Sequence, residues 1–181
     1  MLPKDVPPKS LLLSEKEFEG TTFRTESAFG VDLSGTKFID CTFEQCQLSS
    51  VKIDGAVLQT IFRNSKIEGV NFFTAKRSML SLAFEACLIR HSSFADLKLH
   101  NIKFTKCKFQ NVDFSDADLS GADFSNAAFE DCVFRNTNLS TADFRGASGY
   151  VIDPTQNKLR HARFSSPDVL NLLLPFDISI D

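Results

Sequence analysis

Through most of this chain every fifth residue is large and apolar, a spacing that rules out most ways of folding. From position 79 the series runs Met79, Phe84, Ile89, Phe94, Leu99, Phe104, Phe109, Phe114, Leu119, Phe124, Phe129, Phe134, Leu139 and Phe144 without a miss. An earlier run in its own register reads Phe18, Phe23, Ala28, Leu33, Phe38, Phe43, Leu48, Ile53 and Leu58, and Phe62, Ile67 and Phe72 lie between the two. Neither the helical period of 3.6 nor the strand period of 2 generates a clean period of five. A fixed period of self-similarity is instead the mark of a repeat architecture. Composition points the same way: 19 Phe stand against no Trp and one Tyr, and all six prolines lie near the ends (Pro3, Pro7, Pro8, Pro154, Pro167, Pro175).

The other positions of the unit have fixed characters. With the large residue as i, position i−2 is small or medium (Val51, Ala56, Val70, Val112, Ala117, Ala122, Ala127, Ala142), and all five cysteines, Cys41, Cys46, Cys87, Cys107 and Cys132, fall there too. Position i+2 holds seven of the eight glycines, together with Asn64, Asn101, Asn111, Asn126, Asn136, Asp40, Asp96, Asp116 and Asp131. Gly, Asn and Asp tolerate positive φ and close tight turns. Each unit therefore reads as a very short extended segment with two inward side chains, followed by a corner.

The stretch DFSDADLSGADFSNAAFEDCVF, residues 113–134, resembles the A(D/N)Lxx pattern of the pentapeptide-repeat family, and the likeness extends over roughly residues 16–147. The resemblance implies an all-β fold: a right-handed quadrilateral parallel β-helix with four five-residue faces, hence twenty residues, per coil. Winding the chain by twenties tests that closure independently. One column reads Phe23, Phe43, Phe62, Phe84, Phe104, Phe124, Phe144, and the column before it Phe18, Phe38, Leu58, Met79, Leu99, Leu119, Leu139. The remaining two are Ala28, Leu48, Ile67, Ile89, Phe109, Phe129 and Leu33, Ile53, Phe72, Phe94, Phe114, Phe134. Like stacks on like once one residue is deleted between Leu58 and Phe62 and two are added between Phe72 and Met79. The two extra residues, around Thr74–Ser78, are expected to loop outward. About seven coils at a spacing of about 4.8 Å give a rod roughly 30 Å long.

The organisation that follows is an N-terminal cap over residues 1–15, the β-helix over 16–147, and a C-terminal cap with a short helix over 148–181. The repeat pattern is expected to stop at Gly146. Ser166 as N-cap, Pro167 at the first helical position and Asp168 in the first turn start a helix, which Pro175 ends. Phe176, Ile178 and Ile180 then alternate like a short strand. The tail, with Tyr150, Ile152-Asp153-Pro154, Asn157, Phe164-Ser165 and Pro167, resembles the endings of other small bacterial members of the family.

No constellation of catalytic residues emerges. His91, His100 and His161 stand apart from carboxylates and nucleophiles at any meaningful spacing, and phosphate-loop, nucleophile-elbow and zinc-protease motifs are missing. The expectation is a protein that is no enzyme and takes no cofactor and no metal. The cysteines read as buried small hydrophobes in a reducing compartment; Cys87 and Cys107 stack, but in-register parallel strands aim their Cβ vectors the same way, which suits a disulfide poorly. A net charge of −3 gives no basic footprint for direct nucleic-acid binding. With no apolar run of membrane-spanning length and a poor match to a signal peptide, the expectation is a cytoplasmic protein without membrane contact.

Two surfaces remain. Asp113, Asp116, Asp118, Asp123, Glu130, Asp131 and Asp143 make the C-terminal coils acidic, after a basic stretch of Lys98, Lys103, Lys106 and Lys108; Lys98 is expected to pair with Asp118 and Lys103 with Asp123 across coils. Leu170, Leu173, Leu174, Phe176 and Ile178 offer more apolar surface than one coil end can cover, a candidate protein interface and a route to a homodimer. The leading expectation is a non-catalytic scaffold binding an unidentified protein partner. The family resemblance adds an alternative: members of the fluoroquinolone-resistance type bind DNA gyrase or topoisomerase IV as acidic DNA mimics and pair through their C-terminal ends. This chain departs from that type in its modest net charge and its single two-residue insertion.

Overall fold

The computed structural model describes residues 4–6 and 16–178. They wind into a β-solenoid of about seven turns whose strands pair in parallel. One sheet stacks strands Lys4–Val6, Thr21–Arg24, Lys37–Glu44, Val57–Arg63, Ser81–Glu85 and Lys103–Thr105, with Glu17–Glu19 also on Lys37–Glu44. A second stacks Ser27–Phe29, Gln47–Ser49, Lys66–Glu68, Leu88–Arg90, Lys108–Gln110 and Ala128–Glu130. Partners are twenty residues apart wherever the winding is regular, as in Phe84 on Phe104 and Ile89 on Phe109. The other faces are tied by single bridges such as Ser93 with Asp113 and Lys98 with Asp118.

Local chemistry explains the period of five. Residues i−2 and i point inward with the strand alternation of two, and the residue at i+2 then turns the chain through a corner in the left-handed region. Asn101 (φ 57°), Lys106 (56°), Asn111 (53°), Asp116 (60°) and Gly121 (69°) are successive corners. Gly121 is needed for a second reason. A Cβ there would lie 2.2 Å from the carboxamide oxygen of Asn101 on the coil before it.

The polar residues that do occur at i−2 also have a cause. The inward side chain caps the carbonyl of the corner just passed: Ser65 Oγ donates to Arg63 O at 2.8 Å, Ser92 Oγ to Arg90 O at 2.7 Å, and Cys46 Sγ to Glu44 O at 3.4 Å. Cys, Ser and Thr can occupy an apolar core there because the corner carbonyl satisfies them.

The core is a set of phenylalanine piles. Along the Phe23 column successive rings sit 4.8–5.3 Å apart and within 23° of parallel. Rings of adjacent columns meet edge to face, as in Phe104 with Phe109 (5.2 Å, 81°). Both are favourable aromatic geometries, so each ring serves a stack along the rod and edge contacts across it.

Two irregularities interrupt the winding where the sequence calls for them. At the deletion the register between Lys37–Glu44 and Val57–Arg63 shifts after Phe38, so that Thr60 lies beside Cys41 and the chain passes Thr60 without a left-handed corner. At the insertion the chain makes two 3-10 turns, Phe72–Thr74 and Arg77–Met79. Register is whole again beyond them: Phe62 pairs with Phe84 and Phe72 stacks on Phe94 at 4.5 Å. One inward assignment is corrected. Met79 is 40% exposed on the outward turn, while Leu80 packs partly against the core; the two extra residues rotate Met79 out of phase.

The C-terminal expectations are corrected more heavily. Coiling continues past Gly146 to strand Arg163–Phe164, which pairs with Asp143–Phe144 and adds Phe164 to the Phe23 column. The last coil is tied by Asn157, whose side chain accepts from Thr137 N and donates to Phe134 O. The terminal helix is a 3-10 helix, Asp168–Phe176, without a side-chain cap from Ser166; Pro175 lies inside it and Asp177, at φ 49°, ends it. Phe176 therefore belongs to the helix rather than to a strand, and Ile180 lies outside the described residues. Of the cap expected over residues 1–15, only Lys4–Val6 is described, paired with Thr21–Arg24.

Candidate interaction surfaces

Among the described residues the interior is filled by packed side chains. The void among Leu48, Ile53, Phe62 and Phe72 is about 20 Å³, room for one water at most. The five cysteines are free; Cys41, Cys46, Cys87 and Cys107 are buried and Cys132, near the C-terminal coils, is half-exposed. Burial pushes the Cys46 thiol up to about 11 and raises Cys41 and Cys132 as well. Cys87 and Cys107 each donate to a carbonyl of their own coil, Glu85 O (3.4 Å) and Thr105 O (3.6 Å), and the neighbouring Cys87 thiol together with burial raises Cys107. His91, His100 and His161 are all exposed, His91 and His161 at corners. Among the described residues no group of three His, Cys, Asp or Glu is placed to hold a metal ion, and no helix is long and apolar enough to cross a membrane.

The acidic residues do not gather on one wall. Asp113 lies on the Leu33 column's face, Asp118 on the Phe18 face, Asp123 and Asp143 on the Phe23 face and Glu130 on the Ala28 face, while Asp116 and Asp131 sit at corners. The acids thus ring the last coils. Several are also occupied locally: at position i−1 each carboxylate accepts from the backbone N–H two residues on, Asp113 from Ser115 (2.9 Å), Asp118 from Ser120 (3.1 Å) and Asp123 from Ser125 (2.9 Å). This Asx-type turn is the physical content of the Asp–apolar–Ser pattern. Asp143 does the same with Arg145 and adds a side-chain pair at 2.6 Å, which holds its carboxyl below the usual range.

The expected cross-coil pairs are corrected by the same geometry. Among the described residues Lys98 and Lys103 make no ion pair within 4 Å. Asp118 is turned instead to Ser120 N, Asn138 Nδ2 (3.0 Å) and His100 (3.4 Å). Cross-coil ion pairs form elsewhere, as in Arg24–Glu44 (2.9 Å), Lys37–Glu17 (2.9 Å) and Arg63–Glu85 (3.4 Å).

At the C-terminus the helix lays Leu172 on the core and leaves Leu170 (44%), Leu174 (60%), Phe176 (48%) and Ile178 (56%) exposed, with Leu173 half-buried. These side chains all lie within one short segment, Leu170 to Ile178.

A third surface escaped the sequence reading. Where the corner is missing, a cleft of about 510 Å³ opens, lined by residues that include Asp40, Thr42, Gln59, Ile61, Arg63, Ser81, Ala83, Glu85 and Lys103. Its signal in the sequence was the four-residue step from Leu58 to Phe62 in a series of fives.

Comparison with known proteins agrees with this architecture. The family described as pentapeptide repeat region matches residues 73–144, and that described as pentapeptide repeats (8 copies) matches residues 29–61. Among solved structures, a trypsin-treated variant of QnrB1, a plasmid-mediated fluoroquinolone resistance protein, is similar with a TM-score of 0.63 at 17% identity, over 91% of this chain and 90% of that one. Full-length QnrB1 gives a TM-score of 0.53 at 17% identity, over 97% and 95%. HetL, a pentapeptide repeat protein involved in heterocyst differentiation regulation from the cyanobacterium Nostoc, reaches 0.37 at 9% identity, over 83% and 87%. No curated protein sequence matches.

Proposed function

Since the chain belongs to the pentapeptide-repeat family, we propose that it is a non-catalytic interaction protein, a stiff rod whose outer walls present side chains to a protein partner and whose C-terminal patch (Leu170, Leu173, Leu174, Phe176, Ile178) pairs two copies. The observation that carries this reading is the packing: the interior is filled by stacked rings from Phe18 to Phe164, so whatever the protein recognises meets it on the outside. In this reading the chain's two ends act as caps, and the cytoplasm is where it works.

Affinity capture by the full-length chain from its native host, followed by cross-linking, tests the proposal. A protein retained at near-stoichiometric amount supports it. Recovery of a turned-over small molecule, with no protein above background, would overturn it.

A second reading, modulation of DNA gyrase or topoisomerase IV by duplex mimicry, draws on the acid-ringed C-terminal coils alone. The Asx turns weaken it, because they give Asp113, Asp118 and Asp123 a structural reason to be there. A gyrase supercoiling assay with and without ciprofloxacin separates the readings: the scaffold reading expects no effect at micromolar protein, whereas inhibition or protection from the drug favours the mimic.

A further inference from the structure

We propose that the cleft at the missing corner is a docking site for a loop of a partner protein, one that offers a single aliphatic side chain with an acidic residue beside it. The proposal rests on the interaction reading above and names the place where that interaction happens.

Along the edge between the Phe18 and Phe23 columns the corners are Gly20, Asp40, Asn101, Gly121, Thr141 and His161, all left-handed. Between Asp40 and Asn101 two coils pass without one: in the first, strand Val57–Arg63 runs straight through, and in the second, strand Ser81–Glu85 follows directly on the 3-10 turn Arg77–Met79. The ridge is therefore broken over three coil spacings, about 14 Å, enough for the tip of a turn. A volume of about 510 Å³ lies within the ordinary range for a binding cleft, about 300–1,000 Å³.

The outward position before each Phe of this column is occupied in later coils by Lys103, Asp123, Asp143 and Arg163, but over the cleft by Ile61 and Ala83, which are register partners. Ile61 is 37% exposed, flanked by Thr42, Gln59 and Ser81. This outward position is uncharged in the earlier coils as well, at Thr22 and Thr42, but it is aliphatic only over the cleft. An aliphatic side chain set on Ile61 and Ala83 removes apolar area from water on both partners.

Arg63 and Glu85 pair with each other at 3.4 Å along the flank. Lys103 at one end and Asp40 at the other make no ion pair within 4 Å among the described residues. The cleft is thus polarised, and an occupant with an acid toward Lys103 matches it. Strand addition is excluded as the mode, since the strands Lys37–Glu44, Val57–Arg63 and Ser81–Glu85 are paired on both sides. Recognition must run through side chains.

The test uses a phage-displayed library of random twelve-residue peptides, selected on the full chain and on two variants. Ala83→Arg fills the cleft from an outward position that carries Lys103 one coil later, and Lys103→Glu reverses the charge at its end; thermal melts by circular dichroism establish that both fold. The expected result is enrichment of peptides with an aliphatic residue next to an acid, at least tenfold weaker binding to Ala83→Arg, and a switch toward basic neighbours on Lys103→Glu. Peptides that bind all three chains equally, or no enrichment over bare support, would overturn the cleft. So would self-association of the chain that Ala83→Arg abolishes, because the occupant would then be a second copy. A captured host protein that binds native and Ala83→Arg chains alike sinks the cleft while leaving the interaction reading intact.

Discussion

Two buried hydroxyls show what the repeat asks of single residues. Inward polar side chains at i−2 survive because a corner carbonyl accepts from them, and Thr60, at the coil without a corner, is left with an Oγ1 that has no partner. Thr60→Val should therefore stabilise the protein, by about 1–3 kcal/mol, the usual cost of an unsatisfied buried group. Chemical unfolding read by fluorescence or circular dichroism checks it, and a loss of stability would mean that the hydroxyl has a partner. Tyr150 is the other case: its ring is fully buried over the last coil and its hydroxyl also lacks a partner. Burial, with the charge of Asp168 adding to it, pushes its phenol up to about 12. The proton is thus held more tightly in the folded than in the unfolded chain, so the contribution is fully present below about pH 10 and is lost as pH rises toward about 12. Tyr150→Phe should melt no lower than the native chain at pH 7 and flatten the decline between pH 10 and 12. Thiol reactivity separates the cysteines in the same way. In the native state a maleimide should label Cys132 first and leave the other four slow, with all five reacting in denaturant; a native disulfide found by mass analysis would contradict this.

At the scale of elements, the columns were legible because stacking identical rings imposes a strict period, and a period survives in one sequence without any alignment. The deletion and the insertion were legible for the same reason, as phase slips. What the slip does locally was not: Met79 keeps the spacing to Phe84 yet lies on the outward turn, since the phase is regained only after it. The last coil was missed because Gly149 and Pro154 occupy the slots where large residues belong, although Leu159 and Phe164 keep the period beyond them. Gly149 is required there, for a Cβ would lie 2.2 Å from Phe129 O. The acidic candidates were found by charge, but charge alone could not reveal that four of the seven serve the turns beneath them. The insertion offers a clean element-scale experiment. Ala75 is buried, and Lys76 N donates to Ala56 O at 2.8 Å, so Thr74 and Ala75 are part of the winding. Deleting Arg77 and Ser78 should leave a folded chain within about 1–2 kcal/mol of the original, whereas deleting Thr74 and Ala75 should cost more, as removal of core contacts does. Equal losses of stability from the two deletions would place the extra residues elsewhere.

Over the described residues the molecule is a rod with a closed interior. At its C-terminal end Leu174 is 60% exposed and Phe176 48%, and two-fold pairing is the commonest way to cover such a patch. Light scattering at micromolar concentration should give about twice the chain mass of 20.2 kDa, falling to the single-chain value for Leu174→Asp, a position exposed enough to accept a charge without unfolding. A single-chain mass for the native protein would end the dimer. The direction of the inter-coil hydrogen bonds has a mechanical consequence. Phe104 N donates to Asp123 O at 2.8 Å and Asp123 N to Ile102 O at 2.9 Å, so these bonds lie along the rod. A pull on its two ends loads one coil at a time. Each coil that peels away releases about 65–70 Å of extended chain while shortening the rod by about 4.8 Å. Under tension the protein behaves as a tether paid out in equal lengths, stiff to sideways load and yielding from its ends.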